Sequence, residues 1–448
     1  MNLKINPPKN AALAVKMLLN SGFEAGFVGG CIRDALMNKT PNDWDICTSA
    51  TPYEIQEVFK DFKKLTIGLK HGTIVVIIDK EQIEITTYRI DGTYSDGRHP
   101  DKVCFTRNLL EDLKRRDYTQ NAIFFNEFQG IIDPFNGISD IKNKTIRAVG
   151  EPNKRLQEDA LRILRGVRFS STLGFNIEKY TKKAMFKNKE LLKNISQERI
   201  TVEFIKLIQG KNIVNVLKEF KDIIAYIIPE MQDLIDFSKT YDLWIPTIIS
   251  VNDSKDLILK LTMLFRNIGK PYCYSKDKKG NIIFHDSESR SCHIASIIFK
   301  RMKITNAEEL NKNDVKDIIE LIKYQNILIE PNKNSIKKIL YELRGNKLQF
   351  RRLLEIKRIS ILSENHSNSK DLLKKYDNIE KIFCELLREN TCVCLKDLDI
   401  NGKDLISLGI SPGIRIGKIL NELLKDVINE VLPNNKSALI NAAKKYLS

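Results

Sequence analysis

The sequence contains no CxxC pair. Its eight cysteines, Cys31, Cys47, Cys104, Cys273, Cys292, Cys384, Cys392 and Cys394, are scattered, and the closest two have one residue between them. That spacing suits neither a zinc ribbon nor a redox motif and points to reduced thiols. Long apolar runs are also missing: none approaches the roughly 20 residues a membrane helix requires. Residues 1–10 carry lysines and prolines without an apolar stretch, so no secretory signal is expected. Short internal repeats and low-complexity tails are absent too. These absences leave a soluble, cytoplasmic globular protein as the expectation.

What is present is length and positive charge. At 448 residues the chain has room for about two to four structural units. Lysine and arginine number 73 against 57 acidic residues, a net charge of +16. A polyanionic partner is one reading, because phosphate contacts dominate nucleic-acid affinity. A lysine-rich surface that serves only solubility is the other, and composition leaves both open.

The texture changes near residue 150. Before it, short β-branched runs at Ala25–Val28, Thr73–Ile78 and Gln82–Tyr88 predict strands. Pro52 to Lys60 predicts a helix, with Thr51 as N-cap and Pro52 at its first position. Beyond it, Glu158 to Arg168, Thr201 to Gln209 and Leu257 to Phe265 place apolar residues three and four apart, which predicts helices. Ser275–Asn281, rich in lysine, and Glu364–Lys370 are polar and are expected to be loops.

Four motifs carry chemistry. In Val28-Gly29-Gly30-Cys31-Ile32-Arg33-Asp34 a strand runs through two glycines into a helix. Glycines let backbone N–H groups approach a phosphate, and Arg33 can add a charge-assisted contact. A plain turn is the alternative. Ten residues after Arg33 comes Asp43-Trp44-Asp45. Residues i and i+2 of a strand face one side, so the two carboxylates are presented together. Paired carboxylates suit Mg²⁺, which takes the rest of its shell from substrate phosphates and water. Such ions can activate a 3′ hydroxyl and stabilise departing pyrophosphate. Glu84, an acid in an apolar strand, is either a third ligand or general base, or merely sits on a solvated face.

In Arg115-Arg116-Asp117-Tyr118-Thr119-Gln120-Asn121 the arginines can clamp a triphosphate. Asp117 and Asn121, four apart on an expected helix, can meet a sugar hydroxyl. A salt-bridge cluster is the alternative. The segment Glu158 to Phe169 is expected to put Asp159 and Arg162, and then Arg165 and Arg168, on one helix face. A carboxylate accepts from an exocyclic amine and a guanidinium donates to a ring nitrogen. Cytosine and adenine both offer that pair, whereas uracil and guanine offer the reverse. Protein side chains could thereby select C and A without a template, although a salt-bridge ladder would use the same residues.

In their order, these motifs resemble the class II tRNA nucleotidyltransferase/poly(A) polymerase family of the polymerase-β superfamily. VGGCIRD, DWDICTSATP, ITTYR, RRDYTQNA, IIDPFNGISD, IRAVGEP and EDALRILRGVRF carry the resemblance, densely from about residue 20 to 180. It implies that Asp43 and Asp45 hold Mg²⁺ and that Gly30, Arg33 and Arg116 hold the incoming nucleotide. It implies further that Asp159 and Arg162 read the base, with Arg165 and Arg168 supporting base and phosphates. The expected fold is an α/β polymerase-β-like head over 1–150, followed by an all-α neck over 151–210, body over 211–370 and tail over 371–448. The expected reaction is addition of CCA to the 3′ end of tRNA from CTP and ATP. Poly(A) polymerase and A-adding activity are the alternatives. Tyr88 to Pro100 resembles the family's flexible loop, which favours the complete CCA reaction.

The downstream half resembles a body of HD type with its metal ligands replaced. Pro246, Arg266-Asn267, Ser287 and Ser360 stand at the histidine and aspartate positions. None of these can replace imidazole and carboxylate in a dinuclear site, so a scaffold without phosphohydrolase activity is expected. His285 and His293 are expected to be ordinary surface or core residues. Leu398 to Lys418 resembles the family's tail, for which contact with tRNA is expected. Gln120 stands where relatives usually carry an apolar residue.

Overall fold

The computed structural model describes residues 5–66, 68–92, 103–364, 368–389 and 391–447. The chain divides into two compact units, Met1–Gln232 with Lys300–Ala307, and Asp233–Phe299 with Glu308–Ser448.

The first unit is built on a seven-stranded sheet. Its order is Lys63–Leu65, Thr73–Ile78, Glu81–Thr87, Ile46–Thr48, Ala25–Val28, Phe124–Asn126 and Gly130–Ile132. Thr73–Ile78 alternates half-buried and buried residues as a one-sided strand should. Asp79 and Lys80, both at positive φ, turn it tightly into Glu81–Thr87. That strand pairs parallel with Ile46–Thr48 in the register Ile46↔Ile85. Ala25–Val28 is buried throughout. A Cβ at Gly26 would lie 2.5 Å from the Phe125 carbonyl oxygen, so only glycine admits the neighbouring strand there. The helix Pro52–Val58 starts as its sequence directs: Thr51 and Glu54 close a capping box, with proline in the first turn.

Two expected helices take a different form. Glu158 to Arg168 is not one helix but the end of Pro152–Glu158 and most of Leu161–Leu173. Asp159 is extended, with φ −142° and ψ 105°, and its carboxylate accepts from Leu161 N at 3.0 Å. An aspartate that bonds nearby backbone offers the chain an alternative to helical continuation. Asp159 and Arg162 are therefore not neighbours on one helix face. Likewise Asp117 to Asn121 forms a 3₁₀ turn at Thr119–Asn121 rather than an α-helix. Asn121 Nδ2 still reaches Asp117 Oδ1, at 3.0 Å.

The second unit is mostly helical. Leu257–Phe265 forms the expected helix, capped by Asp256. Ser275–Asn281, expected as a loop, lies in a two-stranded hairpin of Tyr274–Lys276 and Ile282–Phe284. The other expected loop falls partly outside the described residues at 365–367, and the helix Ser369–Arg388 takes up its end. The C-terminal helices Gly402–Ser407, Ile414–Ile428 and Lys436–Ala443 pack on Leu405, Leu423, Leu424 and Leu439. His285 bonds Ser275 at 2.7 Å, and His293 is exposed.

Gln120 is fully buried, and neither atom of its side-chain amide has a hydrogen-bond partner. An orphaned buried amide costs about 1–3 kcal/mol. Gln120→Leu, close in volume, is expected to raise Tm by about 2–4 °C in thermal denaturation. An unchanged or lowered Tm would mean that buried water satisfies the amide.

Candidate active site

One cavity of about 510 Å³ in the first unit collects the nine residues to which the resemblance gives roles, Gly30, Arg33, Asp43, Asp45, Arg116, Asp159, Arg162, Arg165 and Arg168, while Glu84 is not part of its lining. Its charged lining comprises seven arginines, the five just named with Arg115 and Arg199, against the four aspartates Asp43, Asp45, Asp117 and Asp159. An excess of guanidinium groups in a walled recess suits a polyphosphate.

The sheet sets the acidic side of the cavity. Asp43 and Asp45 precede Ile46–Thr48, and Trp44 between them packs edge-on against Phe27 with centroids 5.1 Å apart. Because Ile46 pairs with Ile85, Asp45 is carried opposite Glu84 on the adjoining strand. Asp45 keeps solvent contact but lies in the recess. Desolvation first, then Asp43 and Glu84, push its carboxyl up to about 6, with Arg116 opposing. Glu84 is thus near enough to act on Asp45 electrostatically. Among the described residues no three acidic, histidine or cysteine side chains form a ready-made metal cage. The donor set is two crowded carboxylates with a third nearby, as suits an ion that completes its shell from phosphate and water.

The glycine turn faces this pair. Gly29 has φ +87°, and a Cβ on it would stand 3.4 Å from Arg116 Nη1. Arg33, in the helix Gly30–Leu36, grips Asp34 and donates to Asn121 Oδ1 at 2.8 Å. Arg116 donates to the fully buried Asp112 at 3.0 Å, while its Nε is buried with no hydrogen-bond partner. Burial alone would raise Asp112, but Arg116 and Arg115 hold it below the ordinary carboxylate range. Its fixed charge orients both arginines.

The helical wall is a chain of ion pairs. Arg165 meets Asp117 at 2.7 Å, and Asp117 is held well below its usual range despite burial, chiefly by Arg165 and Asn121. Glu203 binds Arg168 at 2.5 Å and approaches Arg165 at 3.6 Å. Arg168 also lies 3.9 Å from the Phe169 ring centroid. Gly166 permits this packing, since a Cβ there would meet the Tyr118 hydroxyl at 2.2 Å. Arg162 donates to Glu158 at 2.7 Å and to the carbonyls of Arg155 and Arg115. Asp159 accepts from Arg199 at 2.8 Å.

Arg199, Glu203 and Asp112 were not reached from the sequence. Arg199 and Glu203 are four apart in the helix Gln197–Ile208, a base and an acid on one face of it. That pairing was available as a signal. Nothing about Asp112 in a run of charged residues marks it as buried.

Known proteins resemble this chain over nearly its whole length. The family model "Poly A polymerase head domain" matches residues 25–147, and "Probable RNA and SrmB-binding site of polymerase A" matches 174–235. "tRNA nucleotidyltransferase domain 2 putative" matches 295–443. The CCA-adding enzyme of Enterococcus faecalis is 33% identical over 99% of this chain and 97% of its own. That of Ligilactobacillus salivarius is 34% identical over 98% and 96%. The CCA-adding enzyme of Bacillus stearothermophilus, solved in complex with CTP, superposes with a TM-score of 0.66 at 28% identity, covering 98% of each chain. Identity at this level over nearly the whole of both chains shows the family: the chain belongs to the CCA-adding enzymes, which are nucleotidyltransferases.

Proposed function

We propose that the protein adds CCA to the 3′ end of tRNA in the cytoplasm, taking CTP and ATP and releasing pyrophosphate. The 3′ oxygen of the RNA bonds to the α-phosphorus, the bond to the β-phosphate oxygen breaks, and the hydroxyl proton is lost to solvent. The observation that carries this reading is the single cavity in which paired carboxylates face an arginine-rich wall.

Asp43 and Asp45 are the residues that would hold Mg²⁺. Bound there, it would lower the pKa of the attacking hydroxyl and neutralise charge on the leaving phosphates. Gly30, Arg33 and Arg116 take the triphosphate, and the unpartnered Arg116 Nε gives that group a donor. Asp159 accepts the exocyclic amine of C or A. Arg162 donates to the ring nitrogen on exchanging one carbonyl partner, with Glu158 keeping its guanidinium in plane. Arg165 and Arg168, fixed by Asp117 and Glu203, support base and phosphates. We assign the head to 1–150, the neck to 151–210, the body to 211–370 and the tail, with tRNA contact, to 371–448. The body is a helical scaffold in which Arg266 and Asn267 stand in place of metal ligands. The expected flexible loop lies outside the described residues over 93–100, so the preference for the full CCA reaction over A addition rests on its sequence.

Primer choice tests the reading. A tRNA transcript lacking CCA is extended, whereas an unstructured RNA of the same 3′ sequence is not. Long A tails on the unstructured primer would identify a poly(A) polymerase instead.

The carboxylate crowding sets a pH dependence. With its value at about 6, above the usual 3.8, Asp45 is protonated below pH 6 and ionised above it. A metal ligand must be deprotonated, so protons compete with the ion. The Mg²⁺ concentration giving half-maximal rate should be flat above pH 7 and rise up to about tenfold per unit below 6. A requirement independent of pH between 5 and 8 would contradict the assignment of Asp45.

A further inference from the structure

In the second unit two lysines act on a buried guanidinium whose Nε has no hydrogen-bond partner. Arg266, at the end of Leu257–Phe265, is 5% exposed. Its Nη1 donates to Ser360 Oγ and its Nη2 to Glu364 Oε1 at 3.1 Å. Its Nε is buried with no hydrogen-bond partner. Lys357, Ser360 and Glu364 follow at intervals of three and four along Lys347–Ser363 and its C-cap, so Lys357 shares the face that Arg266 touches. Lys270 lies four residues beyond Arg266, its Nζ 4.8 Å from the Phe284 ring centroid.

The electrostatics agree with this placement. Burial, then the Arg266 charge, push both Lys270 and Lys357 down to about 8. Glu288 opposes this at both lysines and Glu364 at Lys270, while Lys375 adds to the repulsion at Lys357. Three half-buried or buried cations thus share two carboxylates. Buried charges are ordinarily paired, and a guanidinium with an unused N–H matches the geometry of a phosphate oxygen.

We propose that Arg266, Lys270 and Lys357 form an anion site that binds a phosphate group, carried either by inorganic phosphate or by a small phosphate monoester. The bound anion supplies the partner that Arg266 Nε lacks and relieves the repulsion among the three cations.

The test uses the full-length protein at constant ionic strength, with phosphate replacing chloride, and the variants Lys270→Gln and Lys357→Gln. Both lysines keep some solvent contact, so both variants should fold. Calorimetric titration with inorganic phosphate should show a site in the wild type that weakens at least about tenfold in each variant, while CTP incorporation is unchanged. Glycerol 2-phosphate, titrated in parallel, tells a free ion from a monoester. In phosphate-free buffer each variant should melt about 2–4 °C higher than the wild type, because a repelled cation has gone. Phosphate should raise the Tm of the wild type and not of the variants. Equal phosphate binding and an equal rise in Tm in all three proteins would overturn the proposal, as would a wild type that no phosphate compound stabilises.

Discussion

Asp45→Ala is expected to lower nucleotide incorporation by about 10³-fold or more without lowering the melting temperature. The loss follows from the role proposed for Asp45 in holding Mg²⁺, since such an ion contributes several kcal/mol of transition-state stabilisation, each 1.36 kcal/mol being tenfold in rate. The retained stability follows from the crowding. Desolvation, then Asp43 and Glu84, already press on the Asp45 carboxyl and raise it to about 6. Above that pH the folded protein holds its charge at a cost, so removing it relieves the site. Single-turnover extension and thermal denaturation on the same preparation separate the two effects. A variant that loses activity and unfolds together would assign Asp45 to the fold rather than the chemistry.

Asp159→Ala is expected to change what is incorporated more than whether anything is. Oδ1 of the carboxylate accepts from Leu161 N and Arg199 Nη1 and Oδ2 from Arg199 Nη2, which leaves Oδ2 a lone pair for an exocyclic amine. A good bidentate reading of a base contributes about 1–3 kcal/mol of discrimination. The advantage of CTP over UTP should therefore shrink by about 10–100-fold in competition assays, chiefly through slower CTP incorporation. Arg199→Ala frees the same carboxylate from its ion pair and should weaken selection less than Asp159→Ala. If Asp159→Ala slows CTP and UTP equally, the residue orders the turn between two helices and does not read the base.

The sequence made the head legible because its signals are local. Ala25–Val28, Thr73–Ile78 and the Thr51 cap come from short β-branched runs and cap chemistry within a few residues, and the structure has them at those positions. Of the nine residues that line the cavity, Gly30, Arg33, Arg162, Arg165 and Arg168 lie on helices whose period is visible, whereas Asp43, Asp45, Arg116 and Asp159 lie in the segments that lead into or out of strands and helices. What escaped depends on competition or distance. The helix break at Asp159 arises where a side-chain bond to Leu161 N outcompetes helical continuation, and the apolar spacing runs straight through it. Arg199 and Glu203 reach the site across about 40 residues of chain, to Asp159 and Arg168. The burial of Asp112 depends on two arginines that follow it and on a strand edge, Arg89, whose N–H it accepts at 3.2 Å. The hairpin at Tyr274–Lys276 was hidden by lysines, which keep such a strand exposed without preventing its pairing.

The central claim is tested most directly by extension of three tRNA transcripts, ending before CCA, after its first C and after its second C. Each is incubated with Mg²⁺ and one nucleoside triphosphate at a time, then with CTP and ATP together. A CCA-adding enzyme places C on the first two, a single A on the third, and CCA followed by arrest when both triphosphates are present. A alone on the third transcript, with no C on the other two, would contradict the claim, as would continued addition beyond the terminal A.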